Sequence, residues 1–297
     1  MYGIMVYPVL SSSSEHFFLI QAYQGFQAYC TLPQGVIAIT SMKTTVIKNI
    51  ANTSRDLKIL PKAYRHLMAQ SVASLTPKIQ NAGFDALIAK LNHELAAKNL
   101  IHLNIETYFG DEWFCPDQTT AIAIPFWLAD DRLRAIERTL VGFVEGETDE
   151  EFIRLLRHEA GHCVEHAYRL SRRKDWREVF GNPNIKYDPE FVATIPGAPD
   201  FVVNLSGGYA QTHPEEDFAE TFAVVINPQS NYRKIYQSKS VALKKLVFVE
   251  KILAECAQKK PRALSTRKIS NARRMKRSLE SYYQTRLRRQ TQSTLLN

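Results

Sequence analysis

His158, Glu159 and His162 stand in the run HEAGH, two imidazoles four positions apart with a carboxylate between them. On a helix, residues four apart share a face, so both rings can reach one metal ion while the carboxylate beside them is free to move a proton. Two more carboxylates with the same spacing, Glu216 and Glu220, follow in the run HPEEDFAET. The first can supply a third ligand. The second can hydrogen-bond the other ring nitrogen of a ligand histidine and so fix its orientation. Two histidines and one carboxylate leave a tetrahedral position open for water, which a catalytic zinc site requires and a structural one lacks.

Two helices must position these groups. Thr148 with Glu151 forms a capping box, and Asp149 and Glu150 place negative charge in the first turn, so a helix is expected to begin near 149. Phe152, Leu155, Leu156, Ala160, Cys163, Val164 and Ala167 then repeat at helical spacing and give it a face to bury. The second helix opens at Pro214, a residue suited to the first helical position, and stops before Asn227 and Pro228. Phe218, Phe222 and Val225 are its buried side, and its acidic first turn suits the helix dipole. The plainer readings are a core helix with two buried histidines and an acidic helix with a solvated face. Neither requires the other, whereas a metal site requires both.

The paired runs, HEAGH and the stretch from Tyr209 to Ala223, resemble the gluzincin metallopeptidases. They are similar to the bacterial zinc-binding metallopeptidases and, more distantly, to the catalytic domain of anthrax lethal factor. The resemblance covers roughly residues 100–230. It implies an α+β, zincin-like fold, with a small mixed sheet whose edge strand lies over the active-site helix and a mainly helical C-terminal lobe. It further implies that His158, His162 and Glu216 bind one Zn2+, that Glu159 is the general base, and that Glu220 stands behind the ligands. Tyr209 would steady the oxyanion, with His213 as the alternative donor. The implied activity is hydrolysis of a peptide or protein substrate. The metzincin pattern is excluded, because it wants Gly and His where this chain has Glu165 and Tyr168.

The rest of the chain is read around that centre. With 297 residues, 45% of them hydrophobic, one moderate domain with appendages or two small ones are expected: a lead-in of uncertain structure over 1–45, a zincin-like peptidase domain over 46–258, and a basic tail over 259–297. The tail is either disordered or a basic amphipathic helix, with Met275, Leu279, Tyr282 and Leu287 among its arginines. Met42 is a second possible start. No apolar run is long enough for a membrane span and no secretion signal is read, which points to the cytoplasm, with a non-classical export route left open. Cys30, Cys115, Cys163 and Cys256 form no C-x-x-C pair, so free thiols of a reducing compartment are expected, with Cys163 a small buried hydrophobe.

Helical spacing recurs over 61–73 and 84–99, and the period changes to two over 101–107. A second strand is expected over 119–128. Its Pro125 marks it as a sheet edge, where a peptide substrate could add as a further strand. Trp113, Phe114, Phe126 and Trp127 are read as core in preference to a specificity pocket. Residues 171–205, rich in Pro and Gly, suit a cleft rim or lid, and Gly207 and Gly208 would let the backbone turn toward the site. Residues 231–297 carry 18 Lys and Arg against 3 Asp and Glu, so the net charge of +8 belongs to this end. Two alternatives to a peptidase follow: a non-catalytic zinc-binding module, and a protein that binds nucleic acid or an anionic surface through its basic tail.

Overall fold

A computed structural model describes residues 59–186, 194–195, 197–262, 264–265 and 267–296, together with four three-residue strands nearer the N-terminus. Those strands, β1 (Tyr7–Val9) with β2 (Phe17–Leu19) and β3 (Cys30–Leu32) with β4 (Gly35–Ile37), pair as two antiparallel ladders. The boundary expected at 45 lies outside the described residues.

From residue 59 the chain is mainly helical. Three helices, α1 (Lys62–Met68), α2 (Val72–Leu75) and α3 (Asp85–Ala97), lead to β5 (Glu106–Gly110) and β6 (Ala121–Pro125). Helices α4 (Asp131–Val141), α5 (Asp149–Tyr168), α6 (Lys174–Phe180), α7 (Pro214–Ile226), α8 (Tyr232–Ile235), α9 (Ser240–Cys256) and α10 (Leu279–Leu296) follow. The expected α+β composition is present, but the sheet is not mixed. Strands β5 and β6 run parallel, from Glu106 opposite Ala121 to Gly110 opposite Pro125.

The strand expectations need correction on two points. Residues 101–105 are not strand, and Ile101 is exposed, so the alternation there reported a surface segment entering β5. Strand β6 ends at Pro125 and passes into a 3-10 turn over Phe126–Ala129. It is not an open edge either. All five of its residues are buried, and on the side away from β5 the Ala123 N–H donates to the Phe114 carbonyl at 2.9 Å. A peptide therefore meets no free ladder at Ala123. Phe126 and Trp127 lie in the core, as expected, and Trp113 packs edge-on against Phe152 at 5.0 Å.

Helix α5 runs through the middle of the molecule. The capping box is formed as the sequence implies, with Glu151 N–H donating to Thr148 Oγ1 at 3.2 Å. All seven stripe residues from Phe152 to Ala167 are buried. A buried ion pair ties this helix to α3, where Arg157 donates through Nε and Nη2 to both Glu94 oxygens at 2.7 and 2.6 Å. A pair of this kind has no water to fall back on, so losing either partner costs several kcal/mol. Helix α7 is fixed to α9 in the same way by Lys245 Nζ, 2.7 Å from Asp217 Oδ2 and donating to the Asp200 carbonyl.

The lid expected over 171–205 is only partly a loop. Trp176 and Phe180 sit four apart on α6, and both are buried against Phe218 of α7. Residues 187–193 and 196 lie outside the described residues. The basic tail is likewise not detached. Leu279, Tyr282 and Tyr283 of α10 are buried in the same core, and Tyr282 stacks edge-on with Phe126 at 5.0 Å. Arg286 faces inward as well, donating to Glu112 and Glu137 at 2.9 and 3.0 Å with its guanidinium 4.3 Å from the Trp127 ring centre. Leu279, Tyr282 and Leu287, spaced among the tail's charges, are the buried face of this helix.

Candidate metal centre

Helices α5 and α7 cross where side chains are smallest. A Cβ built on Gly161 would lie 2.9 Å from the Ala219 Cα and 3.3 Å from its Cβ, so the two backbones touch at that point. The groups that the sequence paired flank this contact, His158 and Glu216 about one turn before Gly161 and Ala219, and His162 and Glu220 directly after them. His158 and His162 come from α5, and Glu216 and Glu220 from α7.

Three donor atoms converge there. His158 Nε2 is 2.9 Å and His162 Nε2 3.6 Å from Glu216 Oε2, and the two Nε2 atoms are 3.3 Å apart. Two imidazole nitrogens with facing lone pairs repel unless a positive centre lies between them, and the adjacent carboxylate supplies negative charge for the same centre. His158, His162 and Glu216 form the one group of this kind among the described residues that could hold a metal ion. Two nitrogens and one oxygen are the donor set zinc takes in sites that keep a position open.

The ring of His158 is held in one orientation. Its Nδ1 donates to Glu220 Oε1 at 2.9 Å, which leaves Nε2 for the cluster. Glu220 is in turn immobilised, because its Oε2 accepts the backbone N–H groups of Asn204 and Leu205 at 2.8 and 2.7 Å and its Oε1 accepts Asn204 Nδ2 at 3.3 Å. Asn204 Nδ2 also donates to the Arg154 carbonyl on α5. Sequence reasoning missed Asn204 and Leu205, since a backbone donor carries no residue signature and their partner is far along the chain.

Charge follows this geometry. Burial opposes a charged ring on His158, but the hydrogen bonds it donates to Glu216 and Glu220 outweigh it and hold the imidazole well above the ordinary histidine range. Burial raises the Glu216 carboxyl, yet the two imidazoles overcome that and bring it well below the usual carboxylate range. Glu159 differs from both. It is 6% exposed, has no hydrogen bond or ion pair among the described residues, and burial lifts its carboxyl to about 7 against the opposing pull of His158 and His162. An acid–base group does most near neutrality when its own affinity for a proton lies there.

Tyr209 opens a 3-10 turn over Tyr209–Gln211, and its ring stands edge-on to His158 at 5.9 Å. Gly208, with φ +77°, makes the turn into it, and a Cβ there would strike Thr194 at 2.8 Å. His213 caps α7. Its Nδ1 accepts the Glu215 N–H and its Nε2 donates to the Ile185 carbonyl at 3.2 Å, so both nitrogens have partners.

Two helices thus bring together a buried to half-buried His–His–Glu group that could hold a metal ion, with the Glu159 carboxyl beside it on the first helix. The sequence model of one family, described as "Putative zinc-binding metallo-peptidase", matches residues 116–285. The match spans more than half of the chain, and the chain belongs to that family. It takes in α5, α7 and most of the helical segment beyond 259, which agrees with the packing of α10 into the core. No curated protein and no solved structure matches the chain. Among the described residues no helix is long and apolar enough to cross a membrane.

Proposed function

We propose that this protein is a zinc-dependent peptidase of the gluzincin type, in which His158, His162 and Glu216 hold one zinc ion and Glu159 moves the proton. The observation that carries this reading is the convergence of three donor atoms beside a carboxyl that has no partner of its own. Zinc bound there supplies a Lewis acid, which lowers the pKa of a water molecule and polarises a carbonyl. Glu159, which stands beside His158 on α5, accepts the proton of the attacking water and returns it to the leaving amine. Glu220 keeps His158 in the tautomer that offers Nε2. Tyr209 donates its hydroxyl to the developing oxyanion, a type of contact worth about 3 kcal/mol in other enzymes. His213 is the poorer candidate for that role, because its N–H is already given to Ile185.

The test is cleavage of a diverse peptide library, read by mass spectrometry, with wild type and Glu159→Gln compared at equal zinc content. Wild type is expected to cut and the variant to be slower by about 10²- to 10⁴-fold, the range for loss of a general base. Equal cleavage by both would remove Glu159 from the mechanism. Zinc bound by both with cleavage by neither would favour the non-catalytic module.

A further inference from the structure

Outside the His–His–Glu cluster, the described residues hold one other convergence of reactive side chains. Cys115, in the loop between β5 and β6, places its Sγ 3.4 Å from Cys163 Sγ on α5, and the next nearest group is His166 Nδ1 at 3.6 Å. His166 Nδ1 also donates to the Thr119 carbonyl at 3.1 Å, and its Nε2 faces Asp117 and Glu165 at 3.6 and 3.7 Å. Neither thiol takes part in the proposed proton transfer. The two differ in access: Cys115 is partly exposed and Cys163 is fully buried.

We propose that Cys115 and Cys163 form an oxidisable dithiol, in which Cys115 meets a peroxide oxidant and Cys163 resolves it as an intramolecular disulfide. Closing the pair from 3.4 Å to a bond of about 2.05 Å draws the sulfurs together by about 1.4 Å, within the travel of side-chain rotation. The order of events follows from access. The Cys115 sulfur attacks one oxygen of hydrogen peroxide, the O–O bond breaks, and the departing hydroxide gains a proton to leave as water. Cys115 is then a sulfenic acid. The Cys163 sulfur, giving up its proton, attacks the Cys115 sulfur. The S–S bond forms, the S–O bond breaks, and a second water departs. Two thiols lose two electrons and one peroxide is reduced to two waters.

The surroundings support this assignment of roles. The Cys163 thiol hydrogen-bonds to Cys115 and, together with His166, holds the Cys115 thiol below its ordinary range despite burial, which favours the nucleophilic thiolate. Cys256, the last residue of α9, is buried, and desolvation raises it to about 11, so it is a poor competitor. Because Cys163 directly follows His162, the bond would fasten the β5–β6 loop to the turn of α5 that carries a candidate zinc ligand.

The experiment uses the full-length, zinc-loaded wild type, so no variant has to fold. Reduced protein freed of reductant is treated with a few equivalents of hydrogen peroxide, alkylated, and analysed intact and after digestion. Two of the four cysteines are expected to become resistant to alkylation, with a mass loss of about 2 Da and a linked peptide joining 115 to 163. Thiol reductant should restore all four. A second arm with Cys163→Ala should let dimedone trap the sulfenic acid at Cys115. Retention of four alkylatable thiols, a bridge to Cys30 or Cys256, or direct passage of Cys115 to the sulfonic acid in wild type would each overturn the proposal.

Discussion

Replacing Gly161 with alanine tests whether the metal centre depends on the close approach of α5 and α7. The added methyl would sit 2.9 Å from the Ala219 Cα, 3.2 Å from Phe222 Cδ1 and 3.3 Å from the Ala219 Cβ, whereas carbon atoms rest at about 3.5–4.0 Å. The nearest obstacle is backbone, which cannot rotate aside, so the helices must part by about 0.7 Å at the crossing. Two effects oppose each other. Alanine is favoured over glycine inside a helix by about 1 kcal/mol, while overpacking a filled core costs about 1–3 kcal/mol. Contact with backbone puts this case in the upper part of that range, and a net loss of about 1–2 kcal/mol is expected, or a fall in Tm of about 2–8 °C for a chain of this size. Zinc should suffer more than stability. The ligands come from both helices, and coordination tolerates displacements of only about 0.2 Å, so affinity should weaken by about 10- to 100-fold. Thermal melts with and without zinc, together with competition against a chelator, read both quantities. Gly161→Ala combined with Ala219→Gly removes the Cβ contact at 3.3 Å but leaves the Cα at 2.9 Å, so it should recover only part of each loss. A Gly161→Ala protein that melts at or above wild type and holds zinc equally well would refute the dependence of the site on this contact.

Three other outcomes follow from the structure. Glu220→Gln replaces a carboxylate that accepts from His158, Asn204 and Leu205, and should weaken zinc binding by about 10- to 100-fold in chelator competition; unchanged affinity would remove Glu220 from the site. Glu137 lies buried with Arg286 on one oxygen, and burial raises its carboxyl more than Arg286 lowers it, so the folded chain holds this proton to higher pH than the unfolded chain does. Its contribution to stability therefore declines as pH rises from the ordinary carboxylate range to the raised folded value, and Glu137→Gln should flatten that part of the Tm profile against pH. Truncation before Leu279 removes the buried Tyr282 and Tyr283 and leaves Glu137 without its cation, so the shortened chain should lose cooperative unfolding in calorimetry; a shortened protein that melts like the full chain would show α10 to be dispensable.

The two helices that form the centre were legible because their signals are local. A capping box, a proline at the first helical turn and stripes of buried residues require only neighbours a few positions away. That Glu220 would meet a ligand histidine could be inferred because i and i+4 spacing repeats on both helices, while the choice of His158 over His162 appears only in the packing. What could not be read involves partners far apart in sequence. The ends of β6 looked like one long strand because Phe126 and Trp127 are as apolar as Ile122 and Ile124, and only packing shows that the former turn inward as a 3-10 segment. In α10 the many arginines left a helix and a disordered tail both open, since a charge directed at a buried carboxylate looks the same in sequence as one in water. Cys115 and Cys163 meet through tertiary packing alone, and no spacing rule joins residues of a loop and a helix.

Long-range closure also sets when the centre can exist. His158 and Glu220 are 62 residues apart, and the core around them is completed by contacts across 149 residues, from Arg286 to Glu137, and 171 residues, from Tyr282 to Asp111. A ribosome adds about 5–20 residues per second from the N-terminus, so the two histidines emerge seconds before Glu216, and the helix that seals the core comes last. Until Glu216 follows, the polypeptide carries the candidate ligands as separate pieces. Any metal ion held by His158, His162 and Glu216 would thus be gathered only once α7 has been made, a delay between the emergence of the histidines and whatever chemistry the centre performs.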